Sequence, residues 1–224
     1  MAFASMPAKI ASDTLTLGNY NTLRDNFELT APGLVTTKGD IVAATAANAT
    51  SRLQVGADGS VFIAASGEAT GVKWKIVPSC RAYNDAAIDP ATSSWVTLTF
   101  NQERWDTNTM HDLVTNSSRL TIPTGGDGIY AIDGGALFDT SGVGGGTAYY
   151  GIRVILGGAT VIKQLGPVEI TQDTHDMGMA ISALYNLAAT NYVELQVFTT
   201  ADINILSTAN VSPEFGATWI RKAP

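Results

Sequence analysis

The sequence predicts a mainly β protein: a sandwich or jelly-roll head preceded by an extended amino-terminal arm that carries one short helix. Three observations lead there. Across residues 75–224, short runs with apolar residues at period two recur, and turn residues separate nearly all of them. Charged residues make up only 15% of the 224-residue chain, below the roughly 25% of an average globular protein, and Lys and Glu are too sparse for a helical bundle. Up to Trp74, the other aromatics are Phe3, Tyr20, Phe27 and Phe62, and residues 41–51 are mostly Ala, Thr and Asn, so this stretch cannot build a large core alone.

The arm begins with its helix. Within residues 16–29, Leu17, Tyr20, Leu23 and Phe27 are spaced by 3, 3 and 4, which sets them on one helical face, with Asn19 or Asn21 placed to cap the start. An isolated helix under about 12 to 15 residues is marginal in water, so this apolar face is expected to dock on something. Gly33, Gly39, Gly56, Gly59, Gly67 and Gly71 then punctuate short extended pieces at residues 40–43 and 60–65. The expected organisation is an anchor at 1–35, an extended linker or attachment segment at 36–74, and the head at 75–224.

In the head, Val96, Leu98 and Phe100 alternate with Trp95, Thr97 and Thr99, the pattern of a half-buried strand. Further strands are expected at residues 119–122, 128–137, 148–156, 160–165, 174–187, 191–199 and 217–221. Residues 177–189 have helical propensity too, and the strand reading there follows their neighbours. Gly157 and Gly158, between two apolar runs, predict a two-residue hairpin turn, because glycine takes positive φ without penalty. Residues 139–147 form a glycine-rich loop. The expected core holds Val96, Leu98, Phe100, Tyr130, Ile132, Val193, Leu195 and Val197.

Charge and cysteine content exclude several classes of function. A formal charge of −7 and a pI near 4.7 argue against the clustered Lys and Arg of a phosphate-neutralising surface, hence against nucleic acid as a partner. The lone Cys80 excludes an intrachain disulfide and a Cys-rich zinc site, and beside Ile76 and Val77 it reads as a small buried filler. No basic segment followed by an apolar run opens the chain, and no stretch approaches about 18 uninterrupted apolar residues. A soluble protein without membrane insertion is expected.

Catalytic constellations are sparse. His111 and His175 are far apart and form no His-Glu-x-x-His pattern, and the chain has no Gly-x-Ser-x-Gly elbow. The glycines at 142–146 lack the Lys-Ser/Thr that follows a phosphate-binding loop. Asp133, Asp139, Glu169, Asp173 and Asp176 do not follow the Asp-x-Asp-x-Asp-Gly spacing of a calcium loop and read as solvated charge. No catalytic, cofactor or metal residue is assigned. Trp105, Tyr149 and Tyr150 are candidate glycan contacts, since an aromatic face covers the apolar side of a pyranose, with core or interface packing as the alternative.

Two resemblances agree about context. Residues 36–74 carry Thr-Lys-Gly-Asp at Thr37 to Asp40, Arg-Leu-x-Val-Gly-Ala-Asp-Gly from Arg52 to Gly59, and Ala-Thr-Gly-x-Lys-Trp ending at Trp74. They resemble a segment of tailed-bacteriophage fibre, spike and decoration proteins. Leu23-Arg24-Asp25-Asn26 is similar to the element that precedes such segments. Residues 79–222 resemble the jelly-roll heads of the complement one-q and tumour-necrosis-factor superfamily. Ala82-Tyr83, Trp95 to Phe100, Gly128-Ile129-Tyr130-Ala131-Ile132, Tyr192 to Val197 and Phe215 to Ile220 follow its strand order, with Ile132 in place of the usual Phe.

Together the resemblances imply a homotrimeric, non-enzymatic structural protein of the phage virion surface, assembled in the host cytoplasm. It would be a head spike, tail fibre or capsid decoration held to phage capsid or tail proteins through residues 1–74. Its head would be displayed for attachment to a host cell-surface glycan or protein. The alternative class is a virion-associated glycan depolymerase or esterase.

Overall fold

A computed structural model describes residues 17–28, 31–140, 146–171, 175–208 and 211–224. The chain divides into two compact units, Met1–Ile76 and Val77–Pro224. In the first, α1 (Leu17–Glu28) is followed by a single helical turn, α2 (Ala31–Leu34), and by four strands: β1 (Ile41–Ala46), β2 (Ala49–Leu53), β3 (Ser60–Ala64) and β4 (Val72–Ile76). Asn19 and Asn21 lie inside α1 and do not cap it, because the helix already runs at Leu17.

The stretch expected as extended is drawn into two antiparallel hairpins. One pairs Ile41 with Leu53 and turns at Asn48, which takes positive φ; the other pairs Ser60 with Ile76. Phe62 and Trp74 sit opposite each other on the second hairpin with ring centroids 5.2 Å apart, the kind of cross-strand aromatic pair that stabilises a ladder.

The second unit is a two-layer antiparallel sandwich of β5 (Ser79–Tyr83), β6 (Ser94–Thr97), β7 (Gln102–Asp106), β8 (Arg119–Thr121), β9 (Gly128–Phe138), β10 (Thr147–Leu156), β11 (Thr160–Thr171), β12 (Met177–Leu187), β13 (Tyr192–Thr199) and β14 (Glu214–Arg221). One sheet has the order β11-β10-β13-β6, with β8 also on β13; the other has the order β12-β9-β14-β5-β7. From β9 onward, only β10 and β11 are both consecutive and paired. The remaining connections cross between sheets, which wraps the strand pairs into a jelly roll.

Alternation drives the burial. Every second residue of β9 from Gly128 to Phe138 is buried, and the core joins Leu98, Phe100, Tyr130, Ile132, Phe138, Ile152, Leu195, Val197 and Phe215. Seven of the eight expected core residues are buried. Val96 is only partly covered, because β6 is an edge strand and its inward residues lack a neighbour on one side. That strand also ends at Thr97, although the Leu98 amide still donates to the Leu195 carbonyl at 2.9 Å.

Other boundaries differ for identifiable reasons. β7 escaped the period-two pattern because it is an edge strand with no buried residue. β11 runs to Thr171 as the opposite kind of edge, exposed along most of its length. β12 is a strand despite its helical propensity, since all eleven of its residues are in register with β9. Gly157 and Gly158 both take positive φ, as the turn requires, but pairing resumes at Leu156–Thr160, so the loop has three residues rather than two. The glycine-rich segment at 141–145 lies outside the described residues.

Candidate functional site

In the first unit, the predicted stripe is on α1 and faces outward: Leu17, Tyr20 and Leu23 are 75%, 54% and 50% exposed. The Phe27 side chain and residues 1–16 lie outside those described. Burial normally removes such residues from water, so a three-residue apolar row open to solvent is the principal feature of this unit that lacks cover.

The motif residues of 36–59 converge on one carboxylate. Asp40 accepts the amide N–H groups of Thr36 (3.0 Å), Thr37 (2.8 Å) and Val55 (3.3 Å), and pairs with Arg52, whose Nε is 2.7 Å from Oδ2. Burial alone would raise the Asp40 carboxyl, but the bonds from Thr36, Thr37, Arg52 and Val55 outweigh it and hold the group below its ordinary value. The Thr-Lys-Gly-Asp turn and the Arg-Leu-x-Val-Gly strand end are therefore locked to each other.

The three glycan candidates do not form one platform. Tyr150 is fully buried, its ring 5.3 Å from Phe138, because it occupies an inward position of β10. Tyr149, one residue earlier, points out, and its hydroxyl donates to Glu169 Oε2 at 2.7 Å, a bond that pushes the phenol up. Trp105 is half-exposed on β7 in the other sheet, with its indole N–H donating to Ser79 Oγ at 2.9 Å.

The titratable residues take structural partners. His111 is buried with Nδ1 3.0 Å from Glu103 Oε1 and Nε2 3.0 Å from the Ser117 carbonyl oxygen, which leaves neither nitrogen to activate a serine. His175 sits apart, before β12, where its carbonyl accepts from Thr140 Oγ1. Cys80 is buried, and desolvation together with Asp106 and Glu103 pushes its thiol up, away from reactivity. Among the described residues, no group of three or more His, Cys, Asp or Glu converges as metal ligands, and no helix is long and apolar enough to cross a membrane. Asp173 lies outside the described residues.

One charged network was invisible in the sequence. Glu214 on β14 accepts from Arg81 Nε at 2.5 Å and from Arg104, while Arg81 Nη1 also bonds Asp133 Oδ2 at 3.1 Å. These residues come from four strands, and only the order β9-β14-β5-β7 brings them together. Arg81, Asp133 and Glu214 line a shallow cleft of about 390 Å³ with Ala180, Ser182 and Ser212.

Comparison with known proteins gives a likeness of fold. No family model and no curated protein matches the sequence. Among solved structures, the globular domain of zebrafish complement 1qA protein aligns at 12% identity and a TM-score of 0.44, covering 65% of this chain and 99% of that one. Murine APRIL aligns at 9% identity and 0.46, over 64% and 99%. Eiger TNF from S. frugiperda aligns at 11% and 0.45, over 66% and 95%. The class that the strand order itself defines is a two-sheet antiparallel jelly roll.

Proposed function

We propose that the protein is a non-enzymatic component of the phage virion surface: a homotrimer anchored to capsid or tail proteins by its amino-terminal unit and displaying the jelly-roll head to the host. The observation that carries the reading is the solvent-facing row Leu17, Tyr20 and Leu23 in a unit whose marker residues, Asp40 and Arg52, belong to the phage-like segment. An apolar helical row on a neutral, hairpin-built unit is chemistry for attachment to another surface.

Two surfaces of the head support threefold closure. On the outer face of the β12-β9 pair, Leu184 is 72% exposed among small neighbours, with Ala180 opposite Gly135 and Leu184 opposite Ala131. This is a face of small residues, indented only by the shallow cleft at Ala180 and Ser182, able to receive another subunit closely. On β11, the edge strand of the other sheet, Leu165 and Val168 pair with the core residues Ile152 and Tyr150 and therefore face inward, yet they remain 45% and 40% exposed. One face is built of small residues and the other is an open apolar seam, so contact between them is head-to-tail, and a head-to-tail contact closes into a ring when the rotation is 120°.

Light scattering on the purified full chain tests the assembly, and immunodetection on purified particles tests the location. Three protomers and particle association are expected. A single protomer, or absence from particles, would contradict the corresponding half of the reading.

A further inference from the structure

On the outer face of the β11-β10-β13-β6 sheet, β13 presents Glu194 and Gln196 two residues apart, since alternate strand residues share a face. Each serves a guanidinium held over an aromatic ring. Arg119 lies 4.0 Å from the Tyr192 centroid and its Nε is 3.4 Å from Glu194 Oε1. Arg153 lies 4.3 Å from the Trp95 centroid, but its Nε donates to the neutral Gln196 amide oxygen, at 2.7 Å. That amide is itself fixed, because its Nε2 donates to Thr97 Oγ1 at 2.8 Å. The strand thus sets a neutral amide where its neighbouring pair has a carboxylate, and among the described residues Arg153 has no acidic partner.

We infer that this face holds a site for a carboxylated sugar, with Arg153 as the carboxylate receptor and Phe198, beside the Arg153-capped Trp95, as the stacking surface. The Trp95 ring lies against the sheet because position 151 is glycine, where a Cβ would come within 2.8 Å of it. Phe198 stands beside it with centroids 5.5 Å apart. A pyranose places its apolar face on such a shelf, its carboxylate accepts two parallel N–H bonds from the free end of the guanidinium, and Gln164, beside Arg153 on β11 with its Nε2 donating to the Gly166 carbonyl at 2.6 Å, keeps its amide oxygen for the sugar hydroxyls.

A half-buried guanidinium without a counter-charge is disfavoured by its own desolvation, which lowers the Arg153 pKa from its ordinary value, and a bound carboxylate relieves that cost. Residues 77–224 hold 14 acidic against 7 basic side chains. The field of the head therefore repels extended polyanions and leaves recognition of a single carboxylate to this local geometry.

The site rests on the host-surface reading only for the source of its ligand. Its test is a titration of the full chain with glucuronic acid, followed at the Trp95 indole and Arg153 Nε–H resonances. Both should shift saturably. The neutral methyl ester of the same sugar should bind about tenfold or more weakly, as loss of a charge-assisted pair implies. R153Q should abolish the shifts, and Q196E should do so too by supplying an internal carboxylate, with the melting temperature maintained.

Unmoved resonances, equal binding of acid and ester, or equal shifts with acetate would overturn the inference. Wild-type acid against ester decides the matter even if a variant misfolds. Failure of the virion reading would show instead as absence from particles with the titration intact.

Discussion

Glu214 shows how much a single side chain can hold. Burial alone would raise its carboxyl, yet bonds from Arg104 and Arg81 keep it below its usual value of 4.5. A carboxylate whose folded pKa is depressed contributes stability above its unfolded pKa and loses it as pH falls through the folded one. Asp112, held low by the Thr115 and Val114 amides, acts in the same sense. The melting temperature of the protein should therefore fall as pH drops below about 4.5, and E214Q should flatten that acid limb while lowering stability at neutral pH. An unchanged acid slope in E214Q would contradict the role given to the network.

Core residues follow from packing alone. Phe100, stacked 5.9 Å from Phe215 and fully buried, should cost about 3 to 5 kcal/mol when truncated to Ala, read by chemical denaturation. Residues such as Phe100, Tyr130 and Leu195 were legible because alternation reports one face of a strand. Glu214, Arg81 and Arg153 were not, because a charged residue at an outward position carries no signal of what lies across the sheet.

At the scale of elements, the sequence reports strands that have one buried face and loses those that do not. β9 and β13 alternate or run apolar and were readable almost to the residue, whereas β7 has no buried position and was missed. β12 was readable only through its neighbours, since its ladder to β9 overrides local propensity. The helix was readable from the 3, 3, 4 spacing, and its start was not, because Asn19 and Asn21 were credited with a capping role that the longer helix removes.

Two predictions belong here. L184D, which places a charge on the outer face of the β12-β9 pair, should reduce the light-scattering mass from three protomers to one without loss of strand signal in circular dichroism; a persistent trimer would move the interface elsewhere. The double variant L23D/F27D should release the protein from particles while the melting temperature of the head is unchanged. Retained occupancy would shift the anchor to residues 36–74.

At the scale of the whole molecule, a jelly-roll head was legible in the recurrence of short apolar runs between turns, and the strand order β12-β9-β14-β5-β7 against β11-β10-β13-β6 defines that architecture. Segment 36–74 was legible as motifs rather than as a shape. Asp40 and Arg52 stood out in the sequence, and their ion pair explains why those residue types sit twelve positions apart, but the two hairpins they stabilise follow from turns and cross-strand contacts that composition does not encode. Of the glycan candidates only Tyr150 is removed from the surface, because adjacent residues of a strand face opposite ways, which sends Tyr150 into the core and leaves Tyr149 outside.

On the proposed function, this chain is a trimer standing on a phage particle by its amino-terminal unit. Electron cryo-microscopy of particles purified from cells producing the chain tests it most directly. The account predicts jelly-roll heads in groups of three projecting from the surface, with α1 seated against a virion protein. Particles that lack the density, or that carry the head innermost with α1 exposed, would contradict it.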